Sequence, residues 1–203
     1  MSRSQATGQP WHVLLIGGAA GTGKTSVSYR LARHFDVAIT EVDDFQVILE
    51  RMTTPEQQPI LHYWRTHPEA MEWPAEKIVE LTISVSQAML PALEAVIANH
   101  LESRTPVVLE GDYILPLLAA QTVFSGEPNN GRVRAVFLYE SDEEQLRANF
   151  LRREPEAGEQ IKRAHVSWLY GEWLKGEAER VGMPAIPSRP WENLLDRIQF
   201  AID

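Results

Sequence analysis

Short unbroken apolar runs alternate with longer amphipathic stretches along this chain. Val13–Ile16 is continuously apolar, as expected of a strand buried on both faces. A glycine loop at 17–23 breaks it, and Thr25–Phe35 then carries helical spacing through Val27, Leu31 and Phe35. Val37–Val42 reads as a second strand ending at Asp43–Asp44, and Phe45–Met52 as a short helix. Residues 53–73 are turn-rich, with Pro55, Pro59 and Pro68. After Pro74, suited to the first turn of a helix, Ile78, Leu81, Val85, Met89, Leu93, Val96 and Leu101 form an amphipathic stripe expected to bend at Pro91. Val107–Leu109 is the next buried strand, followed by a short helix around Leu115–Thr122 and a Gly/Pro/Asn loop at 125–131.

Val133–Tyr139 is a further strand, and Ser141-Asp142-Glu143-Glu144 reads as a capping box opening a helix to about Arg153. Residues 154–180 are charged and helical, with Gly158, Gly171 and Gly176 as weak points. Met183–Ile186 is a last short strand, and Trp191–Ile202 a closing amphipathic helix. Residues 1–10 are polar and read as a frayed lead-in. Five short strands alternating with helices predict an α/β fold: a parallel sheet covered on both faces, in a single domain over 1–203. Sites in such sheets gather at the carboxyl ends of the strands. Here those ends carry the glycine loop, Asp43–Asp44, Glu110–Asp112 and Tyr139–Glu140.

Charge narrows the function. With 19 basic and 28 acidic residues the chain carries −9, which disfavours binding to a nucleic-acid backbone. There is no cysteine, so disulfides, thiolate metal sites and cysteine nucleophiles are excluded, in keeping with a reducing, cytoplasmic compartment. The six histidines show no tight ligand spacing. The longest uncharged stretches, Leu81–Leu93 and Tyr113–Gly126, are shorter than a membrane span requires, and the first apolar run is not followed by a small-residue cleavage site. The expectation is a soluble monomer or homodimer.

One motif carries the chemistry. Gly18-Ala19-Ala20-Gly21-Thr22-Gly23-Lys24-Thr25 fits G-x-x-x-x-G-K-[ST] in full, with a strand before it and a helix after it. The glycines let the backbone wrap phosphates so that N–H groups point inward at the positive end of the helix. Lys24 suits the β- and γ-phosphates of a nucleotide, and the Thr25 hydroxyl suits Mg²⁺. With Ser26, these residues are the expected ATP-binding set.

From the loop at 18–25, Val42-Asp43-Asp44-Phe45 after the second strand, Val108-Leu109-Glu110-Gly111-Asp112 after the third and the arginines after the fourth, the chain resembles small P-loop kinases of the nucleoside-monophosphate-kinase-like superfamily. The resemblance is nearest to chloramphenicol phosphotransferase, zeta toxins and 2-phosphoglycerate kinase-like proteins. It implies a three-layer P-loop NTPase fold with strand order 2-3-1-4-5, use of ATP and Mg²⁺ on a small-molecule acceptor, and a closing helical lid, here about 147–180. The segment 46–100 would cover the acceptor.

The resemblance also implies roles. Asp43 would be the base for the acceptor hydroxyl, with Asp44 either sharing that role or capping the next helix. Glu110 would hold Mg²⁺, and Asp112 either the metal or the acceptor, unless Glu-Gly-Asp is only a solvated turn. Arg147, Arg152 and Arg153 fall where a lid begins. Arg152 and Arg153 are the candidates to touch the transferring phosphate, with Lys162 and Arg163 behind them, and the alternative is a solvated basic face. Trp191 would stack on the base or merely pack. Arg51, with His62, Tyr63, Trp64, Arg65 and His67, would meet an acidic or phosphorylated acceptor or belong to a surface loop.

Competing functions are weaker. A GTPase would need an Asn-Lys-x-Asp base-reading motif and an Asp-x-x-Gly switch, and neither is present. A toxin-like kinase of a sugar nucleotide uses the same chemistry. A binding module that keeps the loop without transfer is the remaining alternative.

Overall fold

The computed structural model describes residues 9–203, so most of the expected lead-in lies outside the described residues. In chain order the elements are β1 Val13–Gly18, α1 Lys24–Phe35, β2 Ala38–Glu41, α2 Asp43–Met52, α3 Tyr63–Thr66, α4 Ala75–Ser103, β3 Val107–Gly111 and α5 Pro116–Ala119. They continue with β4 Val123–Phe124, β5 Glu127–Pro128, β6 Val133–Tyr139, α6 Glu143–Arg153, α7 Ile161–Arg180, β7 Ala185–Pro187 and α8 Leu194–Ile202. Short 3₁₀ turns occupy Pro68–Glu72, Pro155–Ala157 and Trp191–Asn193.

The main sheet has five parallel strands ordered β2-β3-β1-β6-β7. That is the expected 2-3-1-4-5 once β4 and β5 are set aside. They form a separate antiparallel hairpin where a plain loop at 125–131 was expected. In the register of the central strand, Val13 stands beside Val107 on one side and Val133 on the other.

The two faces explain why the strands read as unbroken apolar runs. Side chains alternate across a strand. Val13 and Leu15 therefore join a core with Val85, Met89 and Leu93 of α4, while Leu14 and Ile16 join one with Leu31 of α1 and Ile198 of α8. A third cluster sets Tyr170 and Leu174 of α7 against Val79 and the loop residue Ala19.

Several local readings change. The N-cap of α6 is Asp142, whose carboxylate accepts from the Glu144 amide at 3.0 Å, rather than Ser141. An aspartate one residue nearer the helix closes the cap ring directly. Of the three glycines marked as weak points, only Gly158 interrupts the chain, since Gly171 and Gly176 lie inside α7. The helix α4 is assigned without a break through Pro91 and runs 29 residues. By length and composition alone it is long and apolar enough to cross a membrane. Its uncharged part is still Leu81–Leu93, bounded by Glu80 and Glu94. Leu81, Val85, Met89, Leu93, Ile97 and Leu101 of this helix are packed into the core.

Candidate active site

The site is built at the carboxyl ends of the strands. β1 ends at Gly18, the chain loops through 19–23, and Lys24 opens α1, whose first turn contains no acidic residue to oppose the helix dipole. Gly21 and Gly23 hold φ of 81° and 85°, a region that side-chain-bearing residues enter at a cost. Gly23 has a second reason to lack a side chain: a Cβ there would stand 2.5 Å from the Trp191 ring. The loop is braced by the Thr22 hydroxyl, which donates to the Ala19 carbonyl at 2.9 Å, and by the Asn149 amide of α6, which donates to the Gly21 carbonyl at 2.9 Å.

Lys24 is 7% exposed and ion-paired with Asp112, just beyond β3. Burial alone would lower its pKa, but the carboxylates of Asp112, Glu110 and Asp43 outweigh burial and hold the ammonium above its ordinary value. Glu110, the penultimate residue of β3, is 3% exposed, and its Oε2 has no hydrogen-bond partner. Burial pushes its carboxyl up, opposed first by Lys24 and then by the Thr25 side chain. Asp43 and Asp44 are the first two residues of α2, whose N-cap is Val42 with no side-chain cap, so neither aspartate caps the helix. The Asp43 carboxyl is also held high, first by desolvation and then by Asp112, with Lys24 opposing.

Two cavities meet at this point. The first, of about 750 Å³, is lined by loop residues 21–26, by Asn149, Arg152 and Arg153 of α6, and by Glu140, Ser188, Arg189 and Trp191. The second, of about 840 Å³, is lined by Ala20, Trp64, Ile78, Asp112 and Tyr113, by residues 159–163 and by Val166, Ser167 and Tyr170. Lys24 faces the first and Asp112 the second, so their ion pair spans the boundary.

Of the expected nucleotide contacts, Gly21 through Ser26, Arg152, Arg153 and Trp191 line the first cavity, whereas Gly18 and Ala19 are buried and Ala20 faces the second. Arg147 lies outside both cavities, bound to Glu144 and to Glu159 at 3.2 Å, because those carboxylates flank it on its own helix and on the following loop. Arg51 is also outside both, in the last turn of α2. Eight residues of helix at about 1.5 Å each separate it from Asp43. Asp43 itself, exposed at the head of α2, borders neither cavity lining but shares the field of Lys24 and Asp112. Trp191 covers Gly23 and also packs beside the α1–α8 core, so it borders the cavity and packs at once.

His62 is wholly buried: its Nδ1 accepts from Arg65 at 2.5 Å, which leaves Nε2–H to donate to the Thr53 hydroxyl at 3.0 Å. It therefore ties the 53–66 segment together, while His67 stacks on Tyr63 with ring centres 4.1 Å apart. Only Trp64 of that aromatic cluster reaches the second cavity.

Three residues were not anticipated. Tyr170 donates to the Asp112 carbonyl at 2.8 Å, with Ser86 3.1 Å from the same hydroxyl. Tyr113 lies beside Asp112, and burial holds both phenols well above their usual pKa. Asn149 completes the set, while Glu140, expected at the end of its strand, lines the first cavity. Tyr113 directly follows the Glu-Gly-Asp turn and could have been flagged by adjacency, whereas Tyr170 sits 58 residues from Asp112 with no local signal.

A loop of this form at the end of the central strand of a 2-3-1-4-5 parallel sheet decides the fold. The chain has the fold of the small P-loop kinases. It superposes on a gluconokinase from Sinorhizobium meliloti with a TM-score of 0.53, at 18% identity, covering 95% of this chain and 91% of that one. It likewise superposes on shikimate kinase from Acinetobacter baumannii, in complex with shikimate, at 0.51 and 17% identity, covering 94% and 92%. A curated 2-phosphoglycerate kinase from Methanococcus vannielii is 24% identical over 122 residues, 56% of this chain. The match spans 39% of that relative's length. No family model matches the chain.

Proposed function

We propose that the chain is an ATP- and Mg²⁺-dependent phosphotransferase that moves the γ-phosphate to a hydroxyl of a small molecule in the cytoplasm. The observation that carries this reading is the Lys24–Asp112 pair on the boundary between the two cavities. Phosphoryl transfer needs an aligned acceptor, neutralised phosphate charge and a group to take the acceptor proton. In this reading the phosphates lie on the loop, Lys24 exchanges Asp112 for the β- and γ-phosphates, and Asp112 is left to hold the acceptor hydroxyl. Asp43 takes the proton, a role that its elevated pKa suits. Arg152, held to Asn149 Oδ1 at 2.8 Å, and Arg153 add positive charge at the first cavity.

Thr25 and Glu110 are the residues that would hold Mg²⁺. The buried Glu110 Oε2, which has no hydrogen-bond partner, supports that fit. No group of three acidic or histidine side chains forms a metal cage among the described residues. One or two protein oxygens completed by phosphates and water are what Mg²⁺ usually takes. When bound, the ion neutralises charge on the phosphate oxygens. The 46–100 segment and the helices from 147 to 180 act as acceptor cover and lid. They already touch where Lys162 donates to the Met71 carbonyl at 2.6 Å.

The test is coupled ADP release with Mg·ATP against a panel of hydroxylated metabolites. Acceptor-dependent turnover should fall on the order of 10³-fold in Lys24→Ala. Tight ATP binding that no acceptor converts to turnover would favour a nucleotide-binding module instead.

A further inference from the structure

We infer that the second cavity selects an uncharged, hydroxyl-bearing acceptor with an apolar or aromatic body, and rejects carboxylates and phosphates. The transfer step rests on the kinase reading above; the binding preference does not. The cavity wall is largely apolar and aromatic: Trp64, Ile78, Tyr113, Ile161, Val166 and Tyr170. Both cations in the lining are already engaged. Lys162 donates to the Met71 carbonyl at 2.6 Å and lies 3.9 Å from Glu72. Arg163 bonds Glu154 at 2.8 Å and Gln160 at 2.6 Å, and its guanidinium lies 4.5 Å from the centre of the Phe150 ring.

Three carboxylates share that lining against two cations: Asp112, Glu72 near Lys162, and Glu159, which Arg147 holds from outside. Asp112 stands at its inner end against Lys24, and Asp43 adds to the local negative field. An anionic acceptor would lose its hydration and meet like charge, gaining a cation only by breaking the Lys162 or Arg163 bonds. A neutral alcohol avoids that cost. Its apolar body covers the wall while its hydroxyl donates to a carboxylate at the inner end.

In the transfer itself the acceptor oxygen forms the new bond to the γ-phosphorus as the bond to the β–γ bridging oxygen breaks. ADP leaves with that electron pair, and the hydroxyl proton passes to Asp43 and on to water.

The experiment uses a matched pair with one phenyl body: 3-phenylpropane-1,2-diol and 3-phenyllactate, which differ in carrying CH₂OH or a carboxylate. Calorimetric titration of each into the full chain is run beside ATP titration and ADP release. The diol should bind at least tenfold tighter than the acid. Ile161→Lys, at a half-exposed wall position (51% exposed) that adds an uncommitted cation, should shrink that ratio. Equal or tighter binding of the acid, or binding of neither probe, overturns the inference. Diol-selective binding without Lys24-dependent turnover would instead remove the kinase reading and leave the selectivity of the cavity intact.

Discussion

The two cavities that meet at Lys24 and Asp112 are built in different ways. The first cavity is organised around one contiguous stretch, residues 21–26, whose path is set by glycine conformations, with α6 and the 188–192 segment closing it. The acceptor side is assembled from side chains of the 64–82 segment, the turn after β3 and the start of α7. A site made by backbone is specified by a few residue types in fixed spacing and tolerates little change. A site made by side chains on separate elements is free to vary with what it must hold. The proposed chemistry lies where the two meet, and each side can be perturbed separately.

The largest effect beyond the loop lysine should come from Asp43. Asp43→Asn keeps the shape and removes the base, so acceptor-dependent turnover should drop roughly 10²-fold or more while ATP affinity is retained. Near-normal turnover would pass the base role to Asp112. The stability sign is also fixed. Desolvation of its carboxyl and the Asp112 charge raise the Asp43 pKa in the folded chain, so the folded state binds this proton more tightly than the unfolded state. Its contribution is then fully favourable only at low pH and declines as pH rises from the unfolded value through the raised folded one. Asp43→Asn removes that decline and should unfold at neutral pH no more easily than the parent. Thermal melts from pH 3 to 8 check this against the activity loss.

Gly23→Ala probes the backbone side. It places a Cβ at φ 85° and 2.5 Å from the Trp191 ring, so it should destabilise the fold by about 1–3 kcal/mol. Trp191→Ala in the same chain should relieve the steric part and leave the backbone part. A double-mutant cycle in urea would then show a favourable coupling of about 1 kcal/mol. Strict additivity would mean that Trp191 moves aside freely and does not brace the loop.

The same division explains what could be read before any coordinates. The loop at 18–25, the five strands and the two-sided core follow from apolar runs and glycine spacing, because neighbours in sequence make them, whereas the strand order came with the resemblance to small P-loop kinases. The β4–β5 hairpin was missed because each of its strands is two residues long and carries no alternation. His62 looked available for substrate because a histidine among aromatics says nothing of burial, and its partners Thr53 and Arg65 are found only in the folded turn. Tyr170 and Asn149 act through carbonyls of Asp112 and Gly21, 58 and 128 residues away. No local pattern encodes such contacts.

The arginines of α6 give the finest test, because the sequence grouped all three at the start of a lid and the structure brings only Arg152 and Arg153 to a cavity. Arg152 borders the first cavity and is aimed by Asn149, whereas Arg147 spends its guanidinium on Glu144 and Glu159 outside it. Arg152→Ala should lower kcat/KM for ATP by about tenfold or more, the usual loss when a charge-assisted contact goes. Arg147→Ala should leave kcat/KM within about twofold, as for most exposed ion pairs. Equal losses would mean that the lid rearranges on nucleotide binding far enough to strip Arg147 from both carboxylates. Equal indifference would mean that the loop, Lys24 and the α1 dipole neutralise the phosphates without help from α6.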